Sequence, residues 1–411
     1  MAEPRLRILF LTQTFPRQPG DTSGPFIRDL ARALVRGGDA VTVLAPHARG
    51  LAAAWEDDGV AVRTFRYAPA ALEVLGYSRS LDADETIRPL AGLVAPLYLA
   101  AARRAVARCC RTEGADLVQA HWVVPNGLAA AGAAPGVPLA VGLHGSDVFV
   151  AERRGVRRAV ALALARTAVL TGCSPELVDR VCALGFPRGR AHVIPYGVDV
   201  AKFAPGPPRG RDWRQCLGIP AAATVLLSVG RMATKKGFQV LLPELPALLA
   251  RHPDLQVVLA GAGDRLAEFR RAAGSEPRIH FPGAVGHDDL PDLFRAADLF
   301  TLPAVHDARG NVDGLPNVIL EAMATALPVV ATAISGIPQA VRPQETGWLV
   351  PEGDGPALAS AIETLVADPV LRRRLGEGGR LVAERELTWD RVAARYRAAY
   401  VAGRTGAVTR F

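Results

Sequence analysis

The chain has 411 residues, half of them apolar, which is material for more than one hydrophobic core and makes two domains the natural expectation. Lysine and arginine outnumber aspartate and glutamate by 48 to 40, a mild surplus that suits anionic substrates or a membrane surface, and no aromatic-interleaved basic stripe accompanies it to favour nucleic acid. Five cysteines without a C-x-x-C pair read as reduced thiols and argue against a zinc framework. No apolar run approaches the roughly 18 uncharged residues of a membrane span. The opening Met-Ala-Glu-Pro-Arg lacks the apolar core of a signal peptide, so a cytoplasmic location is expected.

Leu6-Arg-Ile-Leu-Phe-Leu-Thr12 predicts a first strand, followed by a polar loop ending in Ser23-Gly24, a helix from about Pro25 to Arg36, and a strand at Val41-Thr-Val-Leu-Ala45. Strand, glycine-bearing loop, helix and strand form the opening unit of a doubly wound parallel sheet, whose ligands gather at the C-terminal ends of the strands. Two later strands end in histidines. Leu139-Ala-Val-Gly-Leu143 runs into His144-Gly-Ser-Asp147, where an imidazole can hydrogen-bond a substrate hydroxyl, and Asp116-Leu-Val-Gln-Ala-His121 ends in a histidine better suited to packing or to the acceptor side. Arginines 103, 104, 108 and 111, and then 153, 154, 157 and 158, make basic helix faces; they read as solvated surface or as docking sites for anionic lipid.

Residues 204–210, Ala-Pro-Gly-Pro-Pro-Arg-Gly, form the clearest linker, and Thr224-Val-Leu-Leu-Ser-Val-Gly230 opens a second alternating domain. The expected organisation is therefore an N-terminal domain over 1–203, a linker over 204–220, a C-terminal domain over 221–385 and a terminal helical segment over 386–411. The strand at 224–230 leads into Gly230-Arg231-Met-Ala-Thr-Lys235-Lys236-Gly237. Of the 48 basic residues only three are lysines, and two of them stand together here. Arg231 offers a planar fork and Lys236 a point charge, a pair suited to neutralising a diphosphate. Gly261-Ala-Gly263 reads as a tight strand-to-helix turn.

The most informative run is Asp313-Gly-Leu-Pro-Asn-Val-Ile-Leu-Glu321-Ala-Met-Ala. Pro316 suits the first helical position, and apolar residues then continue at helical spacing until Pro328 stops them. A helix begins between the two acids, so the first-turn amides of Asn317 and Val318 are available to hold a phosphate. The plainer reading of the same acids is a helix-dipole partner and a solvated helix residue.

Two acids eight positions apart around Gly-Leu-Pro-Asn resemble the Glu-x7-Glu signature of family 4 retaining glycosyltransferases of GT-B fold, a group that includes glycogen-synthase-like and polysaccharide-biosynthesis enzymes. Gly230-Arg231 with Lys236-Gly237 is similar to that family's Gly-Arg-x4-Lys-Gly motif. One departure is that Asp313 stands where the family has glutamate, one methylene shorter. Another is that Gln339 replaces an acid in Ser335-Gly336-Ile-Pro-Gln339. The resemblance implies an α/β architecture of two Rossmann-like domains facing a cleft, with a C-terminal helix returning to the first domain, its aromatic face (Trp389, Val392, Tyr396, Tyr400) used for packing.

It also implies transfer of a hexose-type sugar, with retention and without a metal or other cofactor, from a nucleotide diphosphate donor to a saccharide or lipid-linked acceptor. Arg231 and Lys236 would hold the diphosphate, with the amides of Gly24, Asn317 and Val318. Leu315 and Val285 would line the nucleotide, the latter in the His280-Phe-Pro-Gly283-Ala-Val285 segment that meets the base. Glu321 would hold the ribose, while Asp313 and His144 would orient the sugar. A sugar-nucleotide epimerase of the same fold and a non-catalytic nucleotide-sugar-binding subunit are the alternative readings.

Overall fold

The computed structural model describes residues 4–17, 21, 23–76, 89–145, 148 and 156–406. They form two compact units, Met1–Ile194 with Trp389–Phe411, and Pro195–Thr388.

The first unit is built on eight strands: β1 (Arg7–Leu11), β2 (Ala40–Pro46), β3 (Ala54–Asp57), β4 (Val60–Phe65), β5 (Leu117–His121), β6 (Leu139–Leu143), β7 (Thr167–Gly172) and β8 (Ala191–Val193). Their order in the sheet is β3-β4-β2-β1-β5-β6-β7-β8; β3 pairs antiparallel with β4 and every other pair is parallel. Strands β5 and β6 are buried along their whole length, as a sheet covered on both faces requires. The sheet order reverses direction between β1 and β5, the topological switch point of such a fold.

Helix α1 (Pro25–Arg36) follows β1, and its start at Pro25 and end at Arg36 agree with the sequence. Gly24 caps it in a left-handed conformation (φ 70°), Pro25 supplies the helical φ without a wasted N–H, and Ile27, Leu30, Ala31 and Leu34 are buried. Helix α2 (Pro89–Thr112) buries Val94, Tyr98, Ala102, Val106 and Cys109 at helical spacing and leaves Leu93 and Leu97 exposed. Helix α3 (Arg157–Ala165) leaves Leu162 exposed. The C-terminal helix Trp389–Gly406 belongs to this unit and packs on α1 and β7. Val392, Tyr396 and Tyr400 are buried along it, Arg36 pairs with Asp390 at 2.6 Å, and Arg397 reaches Asp39 at 3.2 Å and the Pro4 carbonyl at 2.8 Å. The aromatic stripe is packing, as the sequence suggests.

The second unit carries six parallel strands: β9 (Thr224–Val229), β10 (Leu255–Ala260), β11 (Ile279–Gly283), β12 (Leu299–Leu302), β13 (Val329–Thr332) and β14 (Gly347–Val350). Their order is β11-β10-β9-β12-β13-β14, so the direction of winding reverses between β9 and β12. Residues 204–220 are tied into this unit through Asp292, whose carboxylate accepts the amides of Arg209 (2.9 Å), Gly210 (2.8 Å) and Arg211 (3.0 Å) and pairs with Arg295 at 2.6 Å.

Helix α4 (Asn317–Ala324) lies between β12 and β13. Pro316 is its cap and not its first residue: with ψ 119° it is still extended, and its carbonyl accepts the amide of Ile319 at 3.1 Å. The helix also stops earlier than Pro328, because Ala326 turns the chain at φ 61°. Among the described residues no helix is long and apolar enough to cross a membrane.

Candidate active site

In the second unit the expected phosphate-binding residues and the two acids follow the strands that flank the switch point. Arg231 and the two lysines come after β9, and Asp313 comes after β12. Backbone fit brings these loops together. A single turn of 3-10 helix over Thr234–Lys236 carries the lysines and ends at Gly237, whose φ is 75°. A Cβ at Gly237 would lie 1.6 Å from the Pro303 carbonyl oxygen, so only glycine lets this turn press against the exit of β12. The Lys235 carbonyl then accepts the amide of Val305 at 3.0 Å, and the buried Phe238 and Leu241 anchor the next turn.

The loop from β12 to α4 is shaped by Asp307, whose carboxylate accepts the amides of Arg309 (2.8 Å) and Asn311 (2.9 Å) and the side-chain amide of Asn311 (2.9 Å). Beyond it Val312 and Leu315 are buried, and the Gly314 carbonyl accepts the amide of Gly336 (2.7 Å) and the Ser335 hydroxyl (3.0 Å). Asp313 is thereby held at the foot of α4.

Its carboxylate is shared by two ammonium groups. Lys235 Nζ lies 2.9 Å from Oδ1 and Lys236 Nζ 2.6 Å from Oδ2, and all three side chains are at most one-fifth exposed. Burial opposes ionisation of Asp313, but the fields of Lys236 and then Lys235, with their hydrogen bonds, outweigh it and hold the carboxyl well below the usual carboxylate range. Glu321 is 8 % exposed, one turn into α4, while Asn317 and Val318 are half-buried at its start. Arg231 and Val285 are half-buried, and Gln339 is exposed. Leu315 is buried.

In the first unit His144 and His121 come together at the ends of β6 and β5, and Gly24 caps α1. The two imidazoles are in hydrogen-bond contact, His121 Nδ1 to His144 Nε2 at 3.0 Å, with rings 5.2 Å apart and 24° from parallel. Phe26, two residues after Gly24, and Trp122 each place a ring 5.0 Å from His144, and Phe10 packs edge-on to His121 at 4.8 Å. The His121 carbonyl accepts from Asn126 at 2.8 Å, and Tyr98 of α2 holds Asn126 in turn at 2.8 Å. Burial pushes His144 down to about 3; burial and then the field of His144 push His121 well below its ordinary value. The pair is therefore neutral at physiological pH.

Of the basic helix faces, Arg103 is bonded to the carbonyls of Ala131 and Gly132, whereas Arg104 and Arg108 are exposed and line, with Arg63 and Arg66, a groove of about 850 Å³. Ser146, Asp147, Arg153 and Arg154 lie outside the described residues.

Lys235 and His121 stand in these clusters, though the sequence reading gives Lys235 no role of its own and His121 only a packing or acceptor-side one. The first had a signal, since it is one of three lysines in the chain and adjoins Lys236. The second ends a strand as the sequence shows, but its partnership with His144 follows only from the sheet, where His121 pairs with Gly142, two residues before His144.

Residues 24–202 match the family model described as Glycosyltransferase Family 4, and residues 223–368 match the one described as Glycosyl transferases group 1. The GDP-mannose-dependent alpha-(1-6)-phosphatidylinositol monomannoside mannosyltransferase of Mycolicibacterium smegmatis is 31 % identical over 270 residues, which are 60 % of this chain and 70 % of that protein. The chain belongs to the family 4 glycosyltransferases. This glycosyltransferase is also 29 % identical over 338 residues to the GDP-mannose-dependent monoacylated alpha-(1-6)-phosphatidylinositol monomannoside mannosyltransferase of Corynebacterium glutamicum, covering 81 % of this chain and 88 % of that one. Among solved structures, the sucrose-phosphate synthase of Thermosynechococcus elongatus superposes with a TM-score of 0.76 over 97 % of this chain and 100 % of its own, at 22 % identity. The fold is GT-B.

The histidine pair carries a pH dependence. The unfolded chain takes up a proton near the ordinary value of 6.5, while folded His144 resists until about 3. The stability due to its neutrality is therefore complete above about pH 6.5 and declines as the pH falls from there, by at most about 1.4 kcal/mol per pH unit for one proton. Asp313 acts in the same direction in a lower window, below its unfolded value of 3.8. Denaturant midpoints measured between pH 7 and 4.5 are expected to fall for the native protein and to fall less for His144→Gln; equal slopes would contradict the assignment.

Proposed function

We propose that this glycosyltransferase moves a hexose-type sugar from a nucleotide diphosphate donor to a hydroxyl of a lipid-linked saccharide, with retention of configuration and without a metal. GDP-mannose is the first donor to test. The observation that carries the reading is the Asp313 carboxylate bound to two lysine ammoniums at the foot of α4, on the loops flanking a switch point. A cationic cluster beside unpaired first-turn amides suits a diphosphate, and a carboxylate beside it suits a sugar. The donor and acceptor classes are supported by the activities of the mycobacterial and corynebacterial relatives. Glycolipid or exopolysaccharide assembly is the context this chemistry fits.

In the proposed reaction the acceptor oxygen attacks the anomeric carbon on the face the leaving group departs from. The glycosidic C–O bond breaks towards the diphosphate, and the departing phosphate oxygen takes the acceptor's proton. Arg231, Lys236 and the amides of Asn317 and Val318 stabilise the charge on the leaving group; the amide of Gly24 approaches it too. Glu321 holds the ribose, and the backbone near Leu315 and Val285 lines the nucleotide. Asp313 stabilises positive charge at the anomeric carbon. His144, kept neutral, offers a hydrogen bond to a sugar hydroxyl without adding a cation there.

A thermal-shift series with GDP-, UDP- and ADP-sugars tests the donor class, since a ligand of the folded state raises the melting temperature in proportion to the logarithm of its excess over Kd. One nucleotide series is expected to raise it, and Lys236→Ala to abolish the rise. A full shift retained in Lys236→Ala would sink the phosphate assignment.

We also propose a cytoplasmic protein that meets an anionic membrane face through α2 and α3. Leu93 is 75 % exposed on α2, which carries the exposed Arg104 and Arg108 three to four turns further on, and Leu162 is 67 % exposed on α3, four residues after the exposed Arg158. Exposed leucines on helices that carry basic residues suit the boundary between headgroups and acyl chains. Co-sedimentation with vesicles containing anionic phospholipid is expected and should be lost in Leu93→Glu/Leu162→Glu; equal binding to neutral vesicles would refute it.

A further inference from the structure

Two lysines hold one carboxylate, and their surroundings differ. Lys235 is fastened to the β12 exit by its main chain, through the bond from Val305 to its carbonyl, and by its side chain, through Asp313 Oδ1. It also stands in the field of a second acid on the same loop. Burial pushes Asp307 up, but hydrogen bonds from Asn311 and Arg309 and the charge of Lys235 bring it below its usual range. Lys235 thus interacts with two carboxylates of one loop, through an ion pair with Asp313 and through the field it exerts on Asp307. Lys236 keeps its amide within its own turn, bonded to the Ala233 carbonyl at 3.1 Å, and among the described residues its ammonium pairs with Asp313 alone. Lys236 therefore answers to one local acid, Asp313, where Lys235 answers to two.

We infer that the two lysines divide the work: Lys235 is the positioning residue that stays with Asp313, and Lys236 is the cation that turns to the donor's diphosphate. The inference rests on the proposed glycosyl transfer and deepens it. An ammonium has three donors on a flexible stem, so Lys236 can meet a phosphate oxygen while Oδ2 of Asp313 is released towards the sugar. Asp313 then keeps one cation of its two. In a site this sheltered a carboxyl with no cation would be pushed up towards protonation, and a protonated Asp313 could not stabilise positive charge at the anomeric carbon. Lys235 therefore maintains both the ionisation of Asp313 and the direction of its short side chain. It does so on Oδ1, the oxygen that Lys236 does not use.

The test uses the full chain, the nucleoside diphosphate whose sugar series stabilises the native protein, and hydrolysis of that sugar nucleotide as the turnover readout. Lys236→Met should weaken nucleoside diphosphate binding by about 30-fold, as loss of a charge-assisted bond implies, while Lys235→Met should change it by less than about 3-fold. Lys235→Met should instead lower turnover by about 100-fold and give its pH profile an acidic limb absent from the native enzyme, and Lys235→Arg should restore most of the turnover. The inference is overturned if Lys235→Met loses nucleoside diphosphate binding as severely as Lys236→Met. It is equally overturned if turnover is unchanged, or falls with no new acidic limb and no recovery in Lys235→Arg. If the native protein neither binds a nucleoside diphosphate nor turns over a donor, the proposed function fails first, and that result is separate from any difference between the lysines.

Discussion

The ion pairs of Asp313 with Lys235 and Lys236 impose the strictest demands in the second unit. A carboxylate this sheltered would cost several kcal/mol to ionise without partners, and two ammoniums would be equally costly without it. Neither partner is near in sequence. The lysines depend on a turn that only glycine at 237 allows to lie against Pro303, and the aspartate depends on a loop that Asp307 folds and Ser335 and Gly336 pin. The parallel sheet supplies the common frame, because β9 and β12 are neighbours although Lys236 and Asp313 are far apart in the chain. Each loop is shaped by its own backbone bonds, and the charges meet as a result.

The first unit solves the opposite problem. At the ends of β5 and β6 it assembles two histidines among Phe10, Phe26 and Trp122, in surroundings that exclude charge. The result is a pair of neutral imidazoles braced by Asn126 and Tyr98. A cationic, ionised cluster and a neutral, aromatic one suit different parts of the proposed sugar transfer. In that proposal the first meets phosphate and developing positive charge, and the second meets hydroxyls. The same fold class, repeated along one chain, carries both because its functional side chains come from loops after strands, which vary without disturbing the sheet.

Local pattern made much of this legible. The ends of α1 follow from Gly24, Pro25 and the apolar spacing, and the acids, Arg231 and Lys236 were identified from motifs whose chemistry is evident. What local pattern could not carry was pairing between distant loops. Lys235 adjoins Lys236 in the sequence, but nothing there says that both ammoniums share one carboxylate. His121 and His144 become partners only through the registration of β5 with β6. Pro316 reads from the sequence as a first helical residue, since a proline serves either as cap or as first residue, and its ψ of 119° makes it the cap. The proline- and glycine-rich stretch after residue 203 looks unattached in sequence, since the Asp292 carboxylate that gathers its amides lies some 80 residues further on.

The most direct measurement is the affinity of Asp313→Asn for the nucleoside diphosphate that binds the native protein, taken with its turnover of the corresponding sugar nucleotide. Removing the carboxylate's charge frees both lysines, so the account predicts nucleoside diphosphate binding at least as tight as in the native protein, with turnover reduced by roughly 100-fold or more. Loss of nucleoside diphosphate binding in Asp313→Asn, or full turnover, would contradict it.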